Sequence, residues 1–263
     1  MGKKLSIIGG GKMGEALLSG LLSANWAPPE EISVIEPDPA RREELQKKFK
    51  EVLFFETLIT CDNYLLAVKP QLVPSICQEL EKLNPLRVIS IAAGVTIESI
   101  QTQLNSNIAI LRAMPNTPAV VGEGMSAVTA GPYATSEDLD WGSSILSAVG
   151  EVVIVDENAL DAVTGLSGSG PAYLFYLAEA MTQAGIANGL DPAVADVLTR
   201  QTLLGASTLL IKSGTTPEEL RSSVTSPNGT TAAAIEQFQL DDFLSLIEKA
   251  VSAATNRSKE LGN

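Results

Sequence analysis

Gly9-Gly10-Gly11-Lys12-Met13-Gly14 sets glycines at the first, third and sixth places of a GxGxxG turn, directly after the apolar run Leu5 to Ile8. Between a strand and a helix each glycine has its own task. Gly9 makes the tight turn, Gly11 lets the backbone approach a pyrophosphate, and Gly14 allows the helix to pack close to the strand. The unpaired N–H groups of the helix start, around Lys12 and Met13, then offer partial positive charge to phosphates. Glu36 closes the next apolar run, about twenty residues on, where an acidic side chain receives the hydroxyls of an adenosine ribose. That placement favours NADH. Arg41 and Arg42 begin the following amphipathic stretch and oppose it, since either can meet the 2'-phosphate of NADPH. A solvated helix face explains the arginines equally well, so NADPH and NADH both stand as candidate cofactors.

A second cluster lies near the other end of the chain. Ser226-Pro227-Asn228-Gly229-Thr230-Thr231 runs straight into the helical pattern Ala232-Ala233-Ala234-Ile235. Its backbone N–H groups fall at a helix N-terminus and form a seat for an anion. Simple N-capping by Thr230 or Thr231 is the other reading of the same residues. The chain has no histidine. Hydrolysis by a Ser-His pair and a His-ligated zinc site are thereby excluded, no metal is expected, and the chemistry falls to a cofactor or to carboxylates.

The elements that must carry these residues follow from periodicity. From Leu5 to about Val155, short apolar runs alternate with amphipathic stretches, the rhythm of a parallel sheet with crossover helices. Strands are predicted at Leu5–Ile8, Ile32–Ile35, Tyr64–Val68, Val88–Ile91 and Ile108–Arg112, and helices at Met13–Leu22 and Ala40–Phe49. The fold class is α/β: an N-terminal Rossmann-type doubly wound sheet over residues 1–156, then an all-helical domain over 157–263. In the second half Asp191-Pro192 reads as an N-cap with proline at the first helical position, and Thr216-Pro217-Glu218-Glu219 as a capping box. Its richness in Ala and Leu predicts that part of its surface is buried against a second copy of the chain.

Composition bounds the partners. At 263 residues two compact units are expected, and 45% hydrophobic with 19% charged residues is ordinary for a folded enzyme. A net charge of -13 argues against wide contact with nucleic acid or an anionic membrane. No apolar run reaches membrane-span length, and Met1-Gly2-Lys3-Lys4 passes directly into a strand-like segment, so a cytoplasmic location is expected. Cys61 and Cys77 form no CxxC pair, and both are read as buried and inert.

Taken together, several segments resemble the pyrroline-5-carboxylate reductase family. They are GGGKMG, Ala67-Val68-Lys69-Pro70-Gln71, Ser90-Ile91-Ala92-Ala93-Gly94, Arg112-Ala113-Met114-Pro115-Asn116-Thr117-Pro118, Gly165 to Tyr173, and Thr225 to Thr231, in the family's order across nearly the whole chain. The resemblance implies NAD(P)H-dependent hydride transfer to a cyclic imine, giving proline. It also implies that Val68, Lys69 and Pro70 lie beside the nicotinamide, with Ala92, Ala93, Gly94, Met114 and Asn116 along the cofactor crevice. Locally, Lys69 also reads as a solvated helix-start lysine, and Asn116-Thr117-Pro118 as a turn.

At the second cluster the resemblance assigns the pyrroline-5-carboxylate carboxylate to the N–H groups from Asn228 to Thr231 and to the Ser226 hydroxyl. Thr231, the expected catalytic residue, places its hydroxyl near the ring nitrogen, where it orients rather than transfers a proton. A protonated imine is already electrophilic, so holding the reacting atoms roughly 3–3.5 Å apart supplies most of the acceleration. Asn228 departs from the family, standing where the first of two glycines is usual; asparagine is the residue that best tolerates positive φ after glycine. Assembly as a dimer or ring of dimers through the helical domain is implied too. Gly165 to Pro171 also resembles the substrate loop of the 3-hydroxyacid dehydrogenases. Leu174 and Leu177 occupy the places of that family's lysine and asparagine, which disfavours alcohol dehydrogenation and leaves a glycine-kinked helix start packed close on the nucleotide domain. The rivals are another imine or keto-acid reductase of the same plan and a non-catalytic dinucleotide sensor.

Overall fold

The computed structural model describes residues 4–104 and 107–262; Met1, Gly2 and Lys3, part of the lead read above, lie outside the described residues. In chain order come β1 (Leu5–Ile8), α1 (Lys12–Ser23), β2 (Ile32–Ile35), α2 (Pro39–Lys48), β3 (Leu53–Phe55), β4 (Asn63–Leu66) and α3 (Val73–Glu81). They are followed by β5 (Arg87–Ser90), α4 (Ile97–Leu104), β6 (Ala109–Met114), β7 (Gly124–Ala130), α5 (Ser136–Leu146) and β8 (Gly150–Ile154). The strands make one sheet in the order β3-β2-β1-β4-β5-β6-β7-β8. Pairing is parallel from β3 through to β6, β7 lies antiparallel to β6, and β8 is parallel to β7. The progression of strands reverses between β1 and β4, which makes the gap between them the switch point of a doubly wound sheet.

The apolar runs of the inner strands have a direct cause. Every residue of β1, β2 and β4 is buried, because helices cover both faces of a parallel sheet. Successive side chains feed opposite layers. Leu65, Ile89 and Leu111 join Leu17, Leu18, Leu21 and Ile145 on one side, while Tyr64, Leu66, Val88 and Ile110 join Cys77, Leu80, Ile97 and Ile100 on the other.

The antiparallel β7 corrects the expectation of a parallel sheet. Only Pro115 to Glu123 link β6 to β7, too short a connection to carry a crossover helix, so the chain turns back on itself. β3, β7 and β8 were not predicted. β3 has three residues and is part-exposed, and β8 is an edge strand with Val153 and Ile154 open to solvent, so neither shows the pattern of a buried strand.

After Ile154 no strand occurs among the described residues. Residues up to Ser169, together with those from Ser252 onward, form one compact unit, and Gly170–Val251 form another. The first includes α6 (Leu160–Val163), which runs on into a π-helical turn, Thr164–Gly168. The remaining helices are α7 (Gly170–Ala187), α8 (Pro192–Ser213), α9 (Pro217–Ser223), α10 (Thr230–Leu240) and α11 (Phe243–Leu261). Asp191 caps α8 by accepting from the N–H groups of Ala193 and Val194, and Thr216 with Glu219 closes the capping box of α9. α7 and α8 pack as a hairpin that turns at Gly189, φ +94°. No helix among the described residues is long and apolar enough to cross a membrane.

Candidate active site at the carboxyl edge of the sheet

The glycine turn leaves β1 at the switch point. Gly9 has φ +105°, and a side chain there would press within 2.5 Å of the Ala67 carbonyl oxygen. A side chain at Gly14 would overlap the Gly9 carbonyl, whereas one at Gly11, the N-cap of α1, would meet open space. The first intrahelical bond runs from Glu15 N–H to the Gly11 carbonyl (2.9 Å), and no side chain caps the helix. The N–H groups of Lys12, Met13 and Gly14 therefore face outward at the positive end of a twelve-residue helix. This open cradle fits a dinucleotide pyrophosphate.

The other expected residues of this unit sit at the carboxyl ends of neighbouring strands. Val68, Lys69 and Pro70 follow β4, and the Val68 side chain lies beside Gly9; Lys69 is exposed. Ala92, Ala93 and Gly94 follow β5. Gly94 has φ +78°, and the backbone of Leu261 lies about where its side chain would be, 3.0 Å away. Met114 ends β6 and touches Gly168, whose close approach explains one glycine of the Gly165 to Gly170 series. Asn116 joins the start of β7 to the π-helical turn. Its Oδ1 accepts from the Met125 N–H (2.9 Å), and its Nδ2 donates to the Ser167 carbonyl (3.2 Å) and hydroxyl (3.3 Å).

Glu36 directly follows β2, with both carboxylate oxygens engaged. Oε2 accepts from the Gly10 N–H and Oε1 from the Asp38 N–H, each at 2.9 Å. Arg41 donates Nε to the Gly10 carbonyl (2.8 Å) and pairs with Glu15 and Glu44; Arg42 donates to the carbonyls of Glu36 (2.5 Å) and Pro37 (3.1 Å). Glu15 is held below the usual carboxylate range, first by the hydrogen bond from Lys48, with burial opposing, and then by Arg41. Neither arginine is a merely solvated side chain: both brace the loop that cradles the turn. Cys77 is buried and its thiol is pushed up to about 12 by desolvation, and Cys61 is buried as well, which suits the inert role expected of both.

The second cluster is built on a β-turn. The Gly229 N–H donates to the Ser226 carbonyl (3.0 Å), Pro227 holds the second position, and Asn228 holds the third with φ +57°, the arrangement of a type II turn. Gly229 is the N-cap of α10, no side chain caps the helix, and the first intrahelical bond starts at the Ala233 N–H. Capping by Thr230 or Thr231 is thus not what these residues do. Because the turn takes the Gly229 N–H, the outward-facing donors are those of Thr230, Thr231 and Ala232.

One contributor went unread in the sequence. Arg112, buried in β6, donates Nη1 to Glu157 Oε1 (3.0 Å), which also accepts from the Ile97 N–H (2.8 Å). This ties the segment after Gly94 to the strand carrying Met114. The available signal was an arginine inside an apolar strand, which needs a buried partner.

Fold and glycine cradle together define a dinucleotide-binding oxidoreductase of the doubly wound class. The chain is 44% identical over 266 residues to a pyrroline-5-carboxylate reductase of Synechocystis sp., covering 100% of this chain and 99% of that protein. The chain belongs to the pyrroline-5-carboxylate reductase family. Residues 157–261 match a family model described as pyrroline-5-carboxylate reductase dimerisation, and residues 4–94 one described as NADP oxidoreductase, coenzyme F420-dependent. Among solved structures, a pyrroline-5-carboxylate reductase from Coxiella burnetii superposes with a TM-score of 0.92 at 34% identity, covering 100% of both chains. A Plasmodium falciparum pyrroline carboxylate reductase with NADP bound gives a TM-score of 0.86 at 30% identity, covering 99% of this chain and 98% of that one.

Proposed function

We propose that this chain reduces the cyclic imine pyrroline-5-carboxylate to proline, the last step of proline biosynthesis, with NADH or NADPH as the reductant. The observation that carries this reading is its end-to-end similarity to proteins bearing that activity in their name. When bound, the reduced nicotinamide supplies the hydride. Gly9, Gly11, Lys12, Met13 and Gly14 hold the pyrophosphate through backbone N–H groups and close packing, and Glu36 receives the ribose. Val68, Lys69, Pro70, Ala92, Ala93, Gly94, Met114 and Asn116 form the floor of the crevice, a role supported by their common position at or just beyond the carboxyl ends of β4, β5 and β6.

The substrate carboxylate is assigned to the turn and the start of α10, on the Ser226 hydroxyl and the N–H groups of Asn228, Thr230 and Thr231, joined by that of Ala232, while the Gly229 N–H is kept by the turn. The Thr231 hydroxyl orients the ring nitrogen. The imine nitrogen arrives protonated, so no side chain has to deliver a proton, and a chain without histidine carries out the reaction by positioning. We further propose a working division at 156/157, supported by the dimerisation match over 157–261, assembly as a dimer or ring of dimers through the helical part, and a cytoplasmic location.

The decisive assay follows absorbance at the reduced-nicotinamide band with pyrroline-5-carboxylate, in parallel with NADH and NADPH. Imine-dependent oxidation is the expected result. Binding of either dinucleotide without turnover would convert the reading to a sensor, and no response at all would leave only the fold.

A further inference from the structure

We infer that Glu36 makes this protein select NADH over NADPH. The inference rests on the dinucleotide reading above and asks which of the two nucleotides the loop between β2 and α2 is built to receive. The Glu36 carboxylate is held by two backbone donors, Gly10 N–H in the glycine turn and Asp38 N–H in its own loop, both at 2.9 Å. Rotating it away would strip both N–H groups of their acceptor, so the charge stays at the end of β2. Each oxygen keeps a lone pair, which suits a pair of ribose hydroxyls as donors. A 2'-phosphate has no donor to offer and brings further negative charge.

Apart from exposed Lys12 in the glycine turn, the cations packed against this loop are already engaged. All three nitrogens of the Arg41 guanidinium have acceptors: Nε on the Gly10 carbonyl, Nη1 on Glu44 and Nη2 on Glu15. Arg42 binds the Glu36 and Pro37 carbonyls through Nη1, and Glu56 at 3.4 Å through Nη2. Lys48 is paired with Glu15 at 2.6 Å. Around the ribose position Glu15, Glu36, Asp38, Glu44 and Glu56 outnumber Arg41, Arg42 and Lys48. Each guanidinium has N–H groups beyond these bonds, but its charge is already offset by neighbouring carboxylates, so neither arginine is a free counter-charge for a 2'-phosphate.

The test is direct binding, by calorimetric titration of the full chain with NADH and with NADPH in the absence of substrate. Even heavily screened, one carboxylate beside a phosphate is expected to weaken NADPH by about tenfold or more relative to NADH. In Glu36→Gln, which keeps the shape and one acceptor, the ratio should fall to within about threefold, chiefly through tighter NADPH. Raising the salt concentration with the native protein should narrow the ratio too, because it screens a repulsion. NADPH binding as tightly as NADH to the native protein would overturn the inference while leaving the dinucleotide reading intact. An unchanged NADH preference in folded Glu36→Gln would overturn the role of Glu36. Failure to bind either nucleotide would overturn both readings. If Glu36→Gln does not fold, the native ratio and its salt dependence decide the matter alone.

Discussion

At residue scale the most exacting position is Asn228. It holds φ +57° at the third place of the turn that aims the α10 N-terminus, a conformation that costs β-branched residues dearly. Asn228→Gly is expected to leave stability and KM for the imine nearly unchanged. Asn228→Val should destabilise by about 1–3 kcal/mol and raise that KM, because the N–H groups lose their direction; thermal melts and steady-state kinetics read both effects. Thr231→Ala, which removes one orienting hydrogen bond, should lower kcat by about tenfold or more. Unchanged kinetics there would take Thr231 out of the reaction. From sequence alone the residue type at 228 carries only a conditional meaning, and the positive φ supplies the condition.

Among the elements, helix α5 is joined to Arg87 of the sheet chiefly through the Asp138 carboxylate, with exposed Glu137 at 3.4 Å beside it. Asp138 lies in the capping box of α5, accepting from the N–H (2.7 Å) and hydroxyl (2.8 Å) of Thr135, and it also accepts from Arg87 Nε of β5 at 2.5 Å. Burial pushes its pKa up, and the bonds from Thr135 and Arg87 outweigh that, leaving it below the usual carboxylate range. A group depressed in the native state contributes stability that is complete above its unfolded pKa and lost as pH falls through the native value. Asp138→Asn is therefore expected to cost about 2 kcal/mol at neutral pH, with the difference from native shrinking as a denaturant series is carried into acid. A constant difference down to acid would show that the charge is not what matters. The cap formed by Thr135 and Asp138 is a local pattern, whereas the strand partner Arg87 lies 51 positions away and leaves none.

For the whole molecule, the helical unit has little interior of its own. Between Gly170 and Val251 only Pro171, Ala195 and Thr199 are buried, while Phe175, Tyr176, Val197, Leu204 and Ile211 are exposed. Helices apolar on more than one face need cover, and the dimerisation match over these residues names the kind of cover. Light scattering is expected to give at least two chains per particle, and Leu204→Glu or Ile211→Glu should lower that mass together with the melting temperature. A monomeric native protein would contradict this. The sequence by itself determined what local physics encodes: the glycine turn after β1, the buried runs of β1, β2 and β4, the caps at Asp191 and Thr216, and the change to helices after the sheet. Each is fixed within a few residues, by periodicity or by the needs of one helix end. Only the tertiary structure decided that Glu36 faces Gly10, that Arg41 and Arg42 brace the loop, that Asn116 clamps Ser167 to Met125, and that β7 runs antiparallel. Those outcomes depend on which groups folding brings together from distant parts of the chain, 26 residues apart for Glu36 and Gly10 and 51 for Asn116 and Ser167, and a hydrogen-bond partner at that separation leaves no local pattern to read.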